Sequence, residues 1–170
     1  MSTTFKLEHE FPTIPVDVFE KYLNHPELCS MLSALPSFKS RELVEHQELT
    51  SGERYWCFKV SAGGELPPAI AKIASPELFS WLEKGTFNPK EHTLSFVIEP
   101  LAAKSKFEST GKFTYTKLKK GTLRVFEGEM NVKIPFVGKL VEGFLLAELK
   151  KNYAVEPEIQ TKFHEMMMKA

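Results

Sequence analysis

Between residues 40 and 134 the chain is divided into strand-length pieces by turn-forming residues. The pieces are 40–49 (SRELVEHQEL), 53–61 (ERYWCFKVS), 78–86 (LFSWLEKGT), 92–99 (HTLSFVIE), 107–116 (FESTGKFTYT) and 122–134 (TLRVFEGEMNVKI). Ser51-Gly52, Asn88-Pro89 and Lys120-Gly121 separate neighbours, and such pairs close tight turns. Connections this short predict an antiparallel meander, because a parallel crossover needs a dozen or more residues. The exception is residues 62–77 (AGGELPPAIAKIASPE), a loop in which Ile70, Ile73 and Ala74 have the spacing of a helical turn or two. Its Gly63-Gly64 lacks the Lys-Ser/Thr pair of a phosphate-binding loop and reads as a flexible turn.

The ends of the chain supply the remaining elements. Phe5, Leu7, His9 and Phe11 alternate with Lys6, Glu8 and Glu10, which predicts a half-buried first strand. Pro12 and Pro15 stop the pairing. Val18, Phe19, Tyr22 and Leu23, then Leu28, Leu32 and Leu35 beyond His25-Pro26, predict two short helices ending at Pro36. After Pro135, Val137, Leu140, Val141, Phe144, Leu145, Glu148 and Leu149 trace a helix with a wide apolar face. Gly138 and Gly143 on it suggest close contact or a turn. Pro157 is expected to end or kink the helix near residue 154, leaving 155–170 as a helical extension with Ile159, Phe163, Met166 and Met167 on one stripe. The sum is an α+β fold in one domain, residues 1–170. A curved antiparallel sheet of about six to seven strands wraps around a long C-terminal helix, with two short helices after strand 1. A curled sheet gripping a helix leaves space between them.

Composition narrows the function. At 170 residues the chain suits one substantial core, and fourteen Phe against two Trp and four Tyr need a thick core or the walls of a cavity. Basic and acidic residues balance at 22 each, which argues against nucleic acid as a partner; Lys117, Lys119 and Lys120 flank Gly121 in a solvated hairpin tip. Cys29 and Cys57 form no CxxC pair, and His9, His25, His46, His92 and His164 show no HxxxH spacing. No metal site, disulfide or cofactor is therefore expected. No stretch approaches the apolar length of a membrane span, and the cytoplasm is the expected compartment.

The stretch HEFPTIPVDVFEKYLNHPELCSML runs from a strand through a Pro-containing turn into a helix with Val18-Phe19 and a break at Asn24-His25-Pro26. The closing stretch GEMNVKIPFVGKLVEGFLLAELKK carries Pro135, Val137-Gly138 and Glu142, and LPPAIAKIA lies between them as a Pro-rich linker. In these features the chain resembles the START-like superfamily, the helix-grip fold of polyketide cyclases, lipid-transfer START domains and birch-pollen-allergen-like proteins. It is most similar there to a bacterial family of unknown function. Lys139 stands where that family has a second Gly. The resemblance implies the helix-grip fold and a cavity, and brings no catalytic residue with it.

On that fold the cavity would be lined by the apolar strand faces and the gripping helix. The candidates are His9 on the first strand; Trp56 and Phe58; Phe79 and Trp81; Phe96; Phe113 and Tyr115; Phe126 and Met130; and Leu140, Val141 and Phe144 on the helix. Each is equally a core residue by its pattern. Gly111 and Gly128 on these faces mark either curvature of the sheet or room for a ligand. Glu127 and Glu129 fall on the opposite, solvated face. Arg41, Tyr55 and Tyr115 could offer polar groups, and His9 with Tyr55 or Tyr115 is the one set available for catalysis. The expected function is therefore binding or transport of a small hydrophobic ligand, such as a fatty acyl, isoprenoid or polyketide-like compound. A cyclase or hydratase on the same scaffold is the alternative. A protein-interaction module with a filled core, offering its sheet, Ile70 and Ile73, or the Met166–Met168 tail, is the third reading.

Overall fold

The computed structural model describes residues 2–63, 65–72 and 76–170. Its elements in chain order are β1 (Thr3–Phe11), α1 (Val16–Lys21), α2 (Pro26–Leu32), β2 (Phe38–Glu48), β3 (Arg54–Ala62), α3 (Pro68–Ala71), β4 (Ser80–Asn88), β5 (Thr93–Pro100), β6 (Phe107–Lys117), β7 (Thr122–Val132) and α4 (Gly138–Lys169). The strands form one antiparallel sheet in the order β1-β7-β6-β5-β4-β3-β2. Strands two to seven form the expected meander, and β1 closes onto β7 with Leu7 opposite Phe126 and His9 opposite Arg124. This is the helix-grip α+β fold. Ile73, Ala74 and Gly64 lie outside the described residues; Ile70 of the same loop is fully buried, in the single turn of α3.

Local chemistry explains the element ends. Asn24 takes a left-handed conformation (φ 52°) that its short side chain tolerates, and it separates α1 from α2. Pro26 opens α2, and the ring of His25 accepts the Glu27 backbone N–H at 3.3 Å. Residues 76–79 form a 3-10 turn, so β4 starts at Ser80 and not at residue 78.

Gly111, Gly128 and Gly138 are used for close approach. Gly111 and Gly128 face each other across β6 and β7. A Cβ at Gly111 would sit 2.4 Å from the Phe96 ring, and one at Gly128 would sit 2.4 Å from the Thr110 carbonyl oxygen and 2.8 Å from the Phe5 ring. The room they leave is taken by the protein's own aromatic residues. Gly138, at the start of α4, lies so close to β7 that a Cβ would come within 2.2 Å of the Val132 carbonyl oxygen. Gly143 is different: a Cβ there would meet nothing within 4 Å among the described residues, so the expected close contact is not found there.

The sheet's inner face carries two clusters of buried apolar residues. One gathers Phe11, Ile14, Phe19, Trp56, Phe58 and Tyr115 beneath α1; the other gathers Ile70, Phe79, Val132 and Val141 at the start of α4. Two expectations about α4 fail. Leu140 does not lie against the sheet and is 47% exposed, one position away from the buried Val141. Pro157 neither ends the helix nor separates residues 155–170 from it, because α4 runs unbroken to Lys169. A proline removes the N–H that would pair with the carbonyl four residues earlier. Here that carbonyl belongs to Tyr153, the residue on whose ring His9 of β1 stacks at 6.0 Å.

Candidate ligand cavity

Between the sheet and α4 is a cavity of about 270 Å³, and it borders both apolar clusters. Inward residues alternate along the strands, so β3 presents Trp56 and Phe58, β4 presents Trp81 and Glu83 with Phe79 from the turn before it, β6 presents Phe113 and Tyr115, and β7 presents Arg124, Phe126 and Met130. One face of α4 closes the space with Val141, Leu145, Leu149, Asn152 and Glu156. The rings pack against one another: Phe113 stacks on Phe126 at 4.2 Å, and Tyr153 lies 4.9 Å from Phe126.

Two ion pairs are set into this apolar wall. Arg124 on β7 donates to both carboxylate oxygens of Glu156 on α4, at 2.8 and 2.5 Å, and the two side chains are only 3% and 8% exposed. Burial works against both charges. For Arg124 the charge and hydrogen bonds of Glu156 outweigh it and raise the guanidinium further; for Glu156 burial is outweighed by Arg124 and by Gln160, which hold the carboxyl below its ordinary range. Gln160 Nε2 donates to Glu156 at 2.7 Å, which turns its oxygen toward His164 Nε2 at 3.2 Å. His164 Nε2 is therefore the donor, and its Nδ1 is bare, buried and without a partner among the described residues. The ring stacks on Phe19 at 4.6 Å, and burial pushes its pKa down to about 4.

The second pair lies toward the other edge of the sheet. Arg41 on β2 donates from Nη2 to Glu83 on β4 at 3.3 Å, reaching over Phe58 on β3 with its guanidinium 3.6 Å from the ring centre. Burial pushes the thiol pKa of Cys29 on α2 up, against the opposing charge of Arg41 nearby. Further along α4, Ser37 Oγ donates to Glu148 at 2.7 Å and ties the chain after α2 to the helix.

Of the residues selected from the sequence, Trp56, Phe58, Phe79, Trp81, Phe96 and Phe113 border the cavity, as do Tyr115, Phe126, Met130, Val141 and Phe144. Leu140 does not, and neither does His9. The His9 ring stacks on Tyr153 at 6.0 Å, and burial and then the Arg124 charge lower its pKa. Tyr55 alternates to the opposite face of β3 from Trp56, where its neighbours are Cys57 and Lys84, so it cannot act with His9. No hydrogen bond joins His9 to Tyr115 among the described residues. Arg124, Glu83 and Glu156 are the functional candidates that sequence reasoning missed. The signal was present: Arg124 alternates with Phe126 and Met130, Glu83 with Phe79 and Trp81, and Glu156 falls on the helix face of Leu145 and Leu149.

No helix among the described residues is long and apolar enough to cross a membrane. Searches of curated proteins give no match to the sequence. Solved structures do match in fold. The Zhui aromatase/cyclase from a Streptomyces species is 11% identical with a TM-score of 0.69, over 100% of this chain and 98% of that one. The protein TTHA0849 from Thermus thermophilus is 14% identical with a TM-score of 0.66, over 97% of this chain and 99% of its own. Norcoclaurine synthase from Thalictrum flavum is 15% identical with a TM-score of 0.59, over 94% and 87%. These likenesses show the helix-grip fold. Within it, residues 6–163 match the family described as "Protein of unknown function (DUF2505)", and the chain belongs to that family.

Proposed function

We propose that this protein binds and carries a small, mainly apolar molecule in the space between its sheet and α4. The observation that supports the reading is the cavity itself. It is walled by aromatic and aliphatic side chains from several strands and one helix, with a few charged groups among them, and such concave apolar sites are where small molecules bind. A filled core would serve an interaction module equally well, and the cavity argues against that alternative. The structural neighbours named for aromatase/cyclase and norcoclaurine synthase activities show that this scaffold also hosts enzymes. Catalysis by His9 with a tyrosine is not supported, since His9 packs on Tyr153 away from the cavity lining and Tyr55 is on the outer face.

The direct test is native mass spectrometry of gently purified protein, followed by titration with an environment-sensitive apolar fluorophore. Saturable binding with a Kd of about micromolar is expected, together with a change in the emission of Trp56 and Trp81, which both border the cavity. Absence of any co-purified small molecule together with no saturable binding would remove this reading.

A further inference from the structure

Residues of the cavity wall carry buried polar atoms that no described residue satisfies. Arg41 Nη1, Trp81 Nε1, Arg124 Nε and Asn152 Oδ1 are buried, belong to residues bordering the cavity, and have no hydrogen-bond partner among the described residues. Three of the four are N–H donors. Buried polar groups are nearly always paired, so a wall rich in unpaired donors points to a ligand rich in acceptors.

The charge balance decides which kind of acceptor. Each of the two guanidinium groups is already matched by a carboxylate, Arg41 by Glu83 and Arg124 by Glu156. An ionised carboxylate brought beside either pair would be a further buried charge without a buried counterion, the other cation on the lining, Lys106, being exposed to solvent, whereas a neutral carbonyl oxygen can take an N–H at no such penalty. Arg41 and Trp81 belong to one patch: Trp81 and Glu83 are two residues apart on the inner face of β4, and Arg41 reaches Glu83 across Phe58. The Arg41 side chain is only 10% exposed, and its stacking on Phe58 and bond to Glu83 hold the remaining N–H groups in a set orientation.

We propose that the ligand is an uncharged, largely apolar compound bearing a carbonyl oxygen, and that Arg41 Nη1 and Trp81 Nε1 receive that oxygen. The proposal rests on reading the cavity as a ligand site, and it separates the ligand from ionised fatty acids on one side and from pure hydrocarbons on the other.

Three fluorescent probes sharing one ring system test it: 6-propionyl-2-(dimethylamino)naphthalene, the 6-propyl analogue without the carbonyl, and the 6-carboxylate. At pH 7.5 the ketone should bind the full-length protein about tenfold more tightly than the propyl compound, the size of one or two good hydrogen bonds, and more tightly than the carboxylate. Trp81→Phe, which keeps an aromatic side chain but removes the N–H, should weaken the ketone more than the propyl compound and so narrow the gap between them severalfold. Arg41→Met/Glu83→Met, which removes the donor without leaving a lone charge, should do the same. Equal binding of ketone and propyl probes to the wild-type protein overturns the proposal and leaves the cavity reading in place, as does a preference for the carboxylate. Failure of all three probes to bind saturably overturns the cavity reading itself. The ranking of probes on the wild-type protein decides between these outcomes even if the double variant does not fold.

Discussion

At the scale of single residues, the buried pair Arg124–Glu156 makes the sharpest energetic claim. Removing one member leaves the other charged and enclosed, so Arg124→Met should lower the unfolding free energy by about 3–5 kcal/mol. Arg124→Met/Glu156→Met should lose much less, because two apolar side chains replace two charges with no orphan between them. Urea denaturation of the wild type and both variants checks this, and a double variant as unstable as the single one would show that the pair is not acting as a charge pair. His164 makes a second claim, about pH. Its folded pKa of about 4 lies below its ordinary 6.5, so between those values the unfolded chain binds more protons than the folded one. The stability it confers is complete above pH 6.5 and is lost as pH falls through about 4, an effect of about 2–3 kcal/mol for a ring this deeply buried. Glu156, also lowered, adds a loss of the same sign at more acid pH. His164→Phe should flatten the stability profile between pH 6.5 and 4, and an unchanged slope would assign the acid sensitivity elsewhere.

At the scale of elements, α4 is held where intrinsic propensity would not hold it. The proline at 157 frees the Tyr153 carbonyl, and the His9 ring of β1 packs against that residue. A His9 ring that answers the freed carbonyl predicts a cost of about 1 kcal/mol for His9→Phe, shrinking in a Pro157→Ala background where the helix supplies its own N–H. Additive losses in that double-mutant cycle would break the link between the two residues. The two glycines of the same helix predict opposite signs. Gly143→Ala meets open space and should stabilise by about 0.5–1 kcal/mol through helix propensity, while Gly138→Ala drives a methyl into the Val132 carbonyl and should destabilise. Thermal melts of the two variants distinguish them.

At the scale of the whole molecule, sheet and helix meet across a space and not across a filled interface. Phe144 stands on the cavity side of α4, edge-on to Phe79 at 6.3 Å. Phe144→Asp should place a charge against those rings and cost about 3 kcal/mol or more, visible as a lower melting temperature. Conversely, an apolar ligand that binds only the folded chain should stabilise it by about 2.7 kcal/mol at a hundredfold excess over its Kd. A melting temperature that fails to rise with concentration of a ligand known to bind would mean that the ligand sits outside the cooperative core.

Period and punctuation in the sequence determined the architecture. Alternation in β1, turn pairs between the later strands and the apolar face after Pro135 are local signals, because a strand or helix declares its buried side every two or every three to four residues. Those same periods also selected eleven of the residues that border the cavity. What only the tertiary structure decided is how distant polar residues satisfy one another. That Arg124 meets Glu156, that Arg41 crosses Phe58 to Glu83, and that His9 stacks on Tyr153 of α4 all depend on the curl of the sheet around the helix. A charge on an apolar face is legible in one dimension, but its partner is set by three-dimensional distance, because burial permits an ion only where its counterion is brought within hydrogen-bonding reach.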